Sequence, residues 1–210
     1  MSTLEATRLS LHAVAELLLA GPQYRESKTI KLRVVPGGFG TVASPAVAVV
    51  GTELVVAGRS VDLVGRTVAE VAADAGLEPR ALNDLYSGGC GLTVAHTVEV
   101  DPMWGARIRD ALLLGDQALA LLAPEAERVL WPEHFDIAIT LEEVNYGVSP
   151  GDTYLGVPYA YVGPWAPADH RGPFWNAPFG AAVPVDRLLD GAGLVDFFEE
   201  GRRRVADRVH

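Results

Sequence analysis

LWPEHFDIAITLEEVNYGVSPGDTYLGVPYAYVGPW, residues 130–165, is the stretch whose reading decides the fold. Within HFDIAITL the apolar residues fall on every second position. Phe135, Ile137, Ile139 and Leu141 share one face, and His134, Asp136, Ala138 and Thr140 share the other. A period of two belongs to a strand with one buried face. LGVPYAYVG alternates in the same way and puts Tyr159 and Tyr161 together. If this segment pairs with the preceding strand, both hydroxyls stand beside His134 and Asp136, whereas a slip of one residue moves both tyrosines to the opposite face.

The connection between these strands, EEVNYGVSPGDTY, reads as a loop over 142–154. That is longer than the two to five residues typical of hairpins, a length at which loops tend to carry function. SPGD has the chemistry of a tight turn, with Pro150 fixing φ, Gly151 free to take φ > 0, and Ser149 or Asp152 able to bond the local backbone. The resulting candidate site has His134 as general acid or base, Asp136 as its orienter and Glu143 or a tyrosine as a second proton carrier. Asn145, Tyr146, Asp152, Tyr159, Tyr161 and Trp165 are the candidate ligand contacts. The plain alternative is a solvated face of an antiparallel strand with no chemistry. His134, Asp136 and Glu143 would also form a facial set of N and O ligands for zinc or iron. No HxxxH or HExxH pattern accompanies them, so no metal is assigned and the cofactor stays unknown.

The run from LWPEHFDIAI through SPGD to PYAYVGPW resembles the C-terminal signature of a family of conserved bacterial proteins classed only as a domain of unknown function. Their pattern passes from a Trp-Pro-x-His-Phe-Asp strand to Ser-Pro-Gly and a Tyr-rich strand. The similarity covers roughly residues 130–165, and the rest of the chain only in its order of elements. Longer members carry Trp-rich N-terminal sequence that has no counterpart here. No activity comes with the family, so the resemblance implies only that this stretch is a unit.

Outward from it, the periodicity changes several times. Leu11, Val14, Ala15 and Leu18 recur at helical spacing, with Ser10 as cap and Gly21-Pro22 as stop, which predicts a helix over roughly 10–20. TIKLRVV alternates, PGGFG breaks it, and AVAVV, ELVVAG and SVDLVG follow at the spacing of an antiparallel meander. Thr67 and Glu70 form a capping box for a helix whose stripe is Val68, Val71, Ala72 and Ala75, ending at Gly76. A short helix is expected from Pro79, and LTVAHTVEV is expected as a strand. Asp101-Pro102 opens the longest helix, to about Leu122, with Trp104, Ile108, Leu112, Gly115, Leu119 and Leu122 as its buried stripe. An amphipathic helix carrying Leu194, Phe197, Phe198 and Val205 ends the chain. Helices that flank runs of strands, instead of alternating with them, make the fold class α+β with a largely antiparallel sheet, in one domain of 210 residues.

Composition narrows function by exclusion. A formal net charge of −10 disfavours nucleic acid and anionic membrane surfaces, both of which need clustered Lys and Arg. The apolar N-terminal run is interrupted by His12 and Glu16 and is too short to span a bilayer. Cys90 is the one cysteine, so no intrachain disulfide forms, and the expected location is cytoplasmic. A small neutral or cationic ligand stays open, as does the rival reading, a homodimer or interaction protein using the aromatic loop 166–182 with Trp165, Phe174, Trp175 and Phe179. His96 reads as a satisfied core histidine. His170 is a weaker second imidazole, Cys90 lacks a local base, and PGGFG lacks the lysine of a phosphate loop.

Overall fold

The computed structural model describes residues 3–188 and 191–207. The strands are β1 (Leu32–Val35), β2 (Gly38–Thr41), β3 (Val47–Val50), β4 (Glu53–Val56), β5 (Arg59–Asp62), β6 (Val129–Trp131), β7 (Asp136–Leu141), β8 (Val144–Ser149), β9 (Tyr159–Pro164) and β10 (Ala181–Pro184). They form one sheet in the order β10-β9-β8-β7-β6-β1-β2-β3-β4-β5, antiparallel at every pairing. Two five-stranded meanders thus run outward in opposite directions from β1 and β6, joined where Leu32 faces Leu130. The helices are α1 (Thr3–Val14), a π-helical turn (Ala15–Ala20), α2 (Gly21–Ser27), α3 (Val68–Ala75), α4 (Pro102–Leu122) and α5 (Gly191–Ala206). The α+β reading holds. Among the described residues no helix is long and apolar enough to cross a membrane.

One face of the sheet carries the core. Ile137, Ile139, Val148, Ala160 and Val162 point from β7, β8 and β9 toward α4 and α5, while Phe39, Val49 and Leu54 are buried in the other meander, whose strands pack on the π-helical turn, α3 and α4. Asp101 starts α4 as expected, its Oδ1 accepting from the Met103 and Trp104 amides at 3.0 Å. Gly115 lets α4 settle directly on the sheet, since a Cβ there would lie 2.8 Å from the Val148 side chain. Thr67 and Glu70 form the expected capping box of α3.

The N-terminal helix departs from expectation. It begins at Thr3 and continues past Gly21-Pro22 to Ser27. Ser10 is no cap: its hydroxyl lies inside the helix, accepts from the Glu99 amide at 2.9 Å and bonds His96 Nε2 at 2.9 Å. Pro22 is tolerated because the π-helical turn before it shifts the hydrogen-bond register, the Gly21 amide reaching back to the Glu16 carbonyl. The Leu17 carbonyl freed by that shift accepts from the Arg80 amide at 3.1 Å. Arg80 comes this close because Gly21 has no Cβ, which would otherwise stand 2.1 Å from the Arg80 carbonyl oxygen. With the Arg80 amide spent on the helix in this way, residues 79–82 take no regular secondary structure, and the short helix expected from Pro79 does not form. Nor does LTVAHTVEV join the sheet. Its His96 and Val94 carbonyls accept from the Val68 and Ala69 amides, so the segment spends its backbone on the exposed first turn of α3. His96 is accordingly half-buried and satisfied by Ser10, outside the deep core.

The expected loop over 142–154 is also corrected. Val144–Ser149 is β8, paired with both β7 and β9, and the true loop covers 150–158. Leu141 and Val144 are joined by a two-residue hairpin turn in which Glu142 and Glu143 take φ of 49° and 64°. That turn normally announces itself as Asn-Gly, whose residues adopt left-handed φ cheaply. Two glutamates in its place conceal it. Replacing Glu142-Glu143 with Asn-Gly is expected to raise the unfolding free energy by about 1–2 kcal/mol in urea titration, the order of cost of left-handed backbone at residues bearing a Cβ. Unchanged or lowered stability would show that the two glutamates are not strained there.

Candidate functional site

The second face of β7, β8 and β9 carries the polar side chains. Asp136 projects from the start of β7, Asn145, Gly147 and Ser149 from β8, and Tyr159, Tyr161 and Gly163 from β9. Tyr161 lies directly over Gly147, where a Cβ would meet the end of its ring at 2.6 Å. Across that gap the Tyr161 hydroxyl donates to Asp136 Oδ2. The expectation that the tyrosines share a face with Asp136 is met, although β8 intervenes and only a glycine in β8 permits the reach.

Together these groups line a cleft of about 730 Å³. Arg8, Leu9 and His12 of α1 form another wall, Gly88, Gly89 and Cys90 a third, and Trp165 and Phe179 stand at its aromatic side. The size is that of a small-molecule site. Phe179 packs edge-on to Tyr154 at 5.0 Å and lies 6.4 and 6.3 Å from Tyr159 and Tyr161. Trp165 is 63% exposed, and its indole N–H reaches Asn145 Oδ1, which also accepts from Thr140. The rest of the aromatic loop turns elsewhere. Phe174 and Trp175 pack on each other, Phe174 on Phe197 of α5, and His170 on Trp175.

The two aspartates of the cleft differ in what holds them. Asp152 closes the SPGD turn, where Ser149 Oγ accepts from the Gly151 amide. Asp152 Oδ1 accepts from the Tyr154 and Leu155 amides at 2.8 and 3.0 Å, and Oδ2 from the Tyr159 hydroxyl at 2.6 Å. Asp136 is 6% exposed; its carboxyl accepts from the Tyr161 hydroxyl, with its own backbone amide a weaker influence, and its Oδ1 is buried in the cleft wall without a geometrically formed hydrogen bond. Burial raises the Asp136 carboxyl above the ordinary carboxylate range, and Asp152 pushes the same way. The Tyr161 hydrogen bond and His134 pull back less strongly. Burial, then the Asp136 charge, carries the Tyr161 hydroxyl well above its usual value, and burial with Asp152 does the same to Tyr159.

His134 stands apart from the expected role. Phe135 takes φ of 55°, so the strand begins only at Asp136 and His134 lies in the preceding turn. Its side chain is 66% exposed with Glu133 as its ionic neighbour at 3.9 Å, so Asp136 is held by Tyr161 and does not orient it. Phe135 stacks on His12 and meets Phe39 edge-on. Glu143 sits in the hairpin turn at the far end of β7, about 17 Å along the strand from Asp136 at 3.3 Å per residue. Tyr146 points to the core face, 2% exposed, against Phe198. Neither lines the cleft, so the His134, Asp136 and Glu143 ligand set does not assemble. Among the described residues no cluster of three or more His, Cys, Asp or Glu side chains is placed to hold a metal.

Other residues were not singled out from sequence as site residues. His12 is buried, its Nε2–H donates to the Pro132 carbonyl at 2.7 Å, and burial lowers its affinity for a proton. Burial likewise lowers that of Arg8, against the pull of Asp152 and Glu5. Glu16, 1% exposed in the π-helical turn, accepts from the Cys90 amide at 2.7 Å and ties the 88–90 segment to the helix. Burial and then the Glu16 charge push the Cys90 thiol up to about 12, which keeps it from being a thiolate nucleophile. The available signal was His12 and Glu16, four residues apart inside an otherwise apolar helical run. Neither a protein-family model, nor a characterised protein, nor a solved structure matches the chain.

The raised carboxyl has a consequence for stability. The fold disfavours ionised Asp136, so wild type is favoured below the ordinary aspartate pKa. It loses stability as pH rises through the window between that value and the raised one, by about 1.4 kcal/mol per unit separating them. Asp136→Asn stays neutral throughout. Its stability relative to wild type, measured by urea titration from pH 4 to 8, is therefore expected to climb with pH. A difference independent of pH would show that Asp136 is not perturbed.

Proposed function

We propose that the protein binds a small neutral or cationic molecule in the cleft between β7–β9 and α1. The observation that carries this reading is Asp136 Oδ1, a buried oxygen in the cleft wall with no protein partner. An unsatisfied buried polar atom costs about 1–3 kcal/mol, and a ligand that supplies the missing partner recovers it. The surrounding wall has the make-up of a ligand site, with aromatic surface from Tyr159, Tyr161 and Phe179 and a few fixed polar groups.

Acid–base chemistry is within reach of the same residues. A carboxyl raised toward neutrality can hold a proton and give it to, or take it from, a bound molecule. Asp136 is better placed for this than His134, which stands exposed at the rim and serves to contact a ligand. The rival, a protein–protein contact without chemistry, draws on the exposed Trp165 with Tyr154 and Val157, while Phe174 and Trp175 of its aromatic loop are half-buried.

A thermal-shift screen of uncharged and cationic small molecules, run in parallel on wild type and Asp136→Asn, tests the reading. A ligand present at about 100 times its dissociation constant adds about 2.7 kcal/mol, which for a chain of this size raises Tm by roughly 5–10 °C. Such shifts are expected in wild type and are expected to collapse in the variant. Ligands that stabilise both proteins equally would place binding elsewhere.

A further inference from the structure

The hydrogen-bonding polarity of the cleft selects among ligands. The Tyr159 and Tyr161 hydroxyls both spend their protons on aspartates, so toward any further group each is an acceptor, and Tyr159 already has Ser149 on that side. Asp136 Oδ1 is an acceptor in its ionised form. The His12 Nε2–H is consumed by the Pro132 carbonyl. Carboxylates outnumber fixed cations around it, with Glu133, Asp136 and Asp152 against Arg8, on which Asp152 exerts the strongest pull. Tyr159, Tyr161, Phe179 and Trp165 add aromatic faces, which attract cations through the ring quadrupole.

We propose that the ligand is an organic ammonium ion, bound with its N–H groups on Asp136 Oδ1 and the Tyr161 hydroxyl oxygen and its carbon skeleton against the aromatic wall of Tyr159 and Phe179. An ammonium has three donors and no acceptor, the complement of the acceptors that Asp136 and Tyr161 present on this wall of the cleft. A carboxylate or phosphate ligand would meet Asp136, Asp152 and Glu133 with Arg8 as the one fixed cation and the His134 imidazole in compensation, and repulsion among like charges opposes it. This assignment rests on the cleft being a small-molecule site and goes further by fixing the charge of its occupant.

Binding a cation is coupled to loss of the Asp136 proton. The charged and titratable groups that face Asp136 are Tyr161 and Tyr159 from β9, His134 from the turn before β7, and Asp152 from the loop after β8; Arg8, His12, Glu133 and Cys90 line the same cleft. Affinity for an ammonium therefore tightens with pH while Asp136 is still protonated in the empty cleft, by up to about tenfold per pH unit.

The test uses three matched probes, benzylamine, benzyl alcohol and benzoate, titrated into the full chain and followed by the Trp165 indole and Tyr161 ring resonances. Benzylamine is expected to bind at least tenfold more tightly than the other two, to tighten between pH 5 and pH 7, and to lose at least tenfold in Asp136→Asn. Tyr161→Phe, which keeps the ring but removes the acceptor, is expected to weaken it as well. If benzyl alcohol or benzoate binds as tightly as benzylamine, or if affinity for benzylamine falls as pH rises, the cleft remains a ligand site and the ammonium assignment is wrong. If none of the three perturbs those resonances at millimolar concentration, both the assignment and the small-molecule reading fail.

Discussion

The hydrogen bond from the Tyr161 hydroxyl to Asp136, made across Gly147, is the constraint on which the rest of the cleft depends. It takes one oxygen of a buried carboxyl and leaves the other in the cleft wall without a protein partner. It holds the Tyr161 ring flat along β8, where it stands 6.3 Å from both Tyr159 and Phe179. Tyr159 in turn fixes Asp152 and so the loop after SPGD. One small residue in the middle strand lets side chains two strands apart behave as neighbours.

That arrangement needs a floor and a second wall. The floor is the close seat of α4 on β7 and β8 at Gly115, which buries Ile137 and Val148 on the opposite face. The wall is α1, which runs into the π-helical turn. This turn exposes the Leu17 carbonyl to Arg80 and presents the Glu16 carboxylate to Cys90. π-helical turns cost hydrogen-bond geometry and tend to occur where function needs a side chain displaced. Here Arg8 and His12, upstream on the same helix, face into the cleft.

Much of the fold could be read from periodicity, and the parts that could not share a cause. α4 and the capping box of α3 were legible because their caps are local, Asp101 on its own helix and Thr67 with Glu70. The helical stop at Gly21-Pro22 and the strand at LTVAHTVEV failed because partners distant in sequence, Arg80 and the first turn of α3, decided those backbones. β8 was missed because Asn145, Gly147 and Ser149 alternate with the strand formers Val144, Tyr146 and Val148 and a glutamate pair stands at its turn, and pairing on both sides overrides both signals. In the site, the alternation that put Asp136 beside the tyrosines survived. It broke at Phe135, whose left-handed φ no pattern announces, and that break removed His134 from the wall. Glu143 and Tyr146 fell out with the loop that was a strand.

The account turns on Asp136 being a buried, proton-holding carboxyl at the cleft surface. The most direct measurement is the pH titration of its side-chain carboxyl carbon by 13C NMR in the ligand-free protein. A midpoint clearly above the ordinary aspartate value of about 3.9 is predicted. A midpoint at or below that value would mean that Asp136 is solvated or already paired, and the cleft would lose the group around which its function is built.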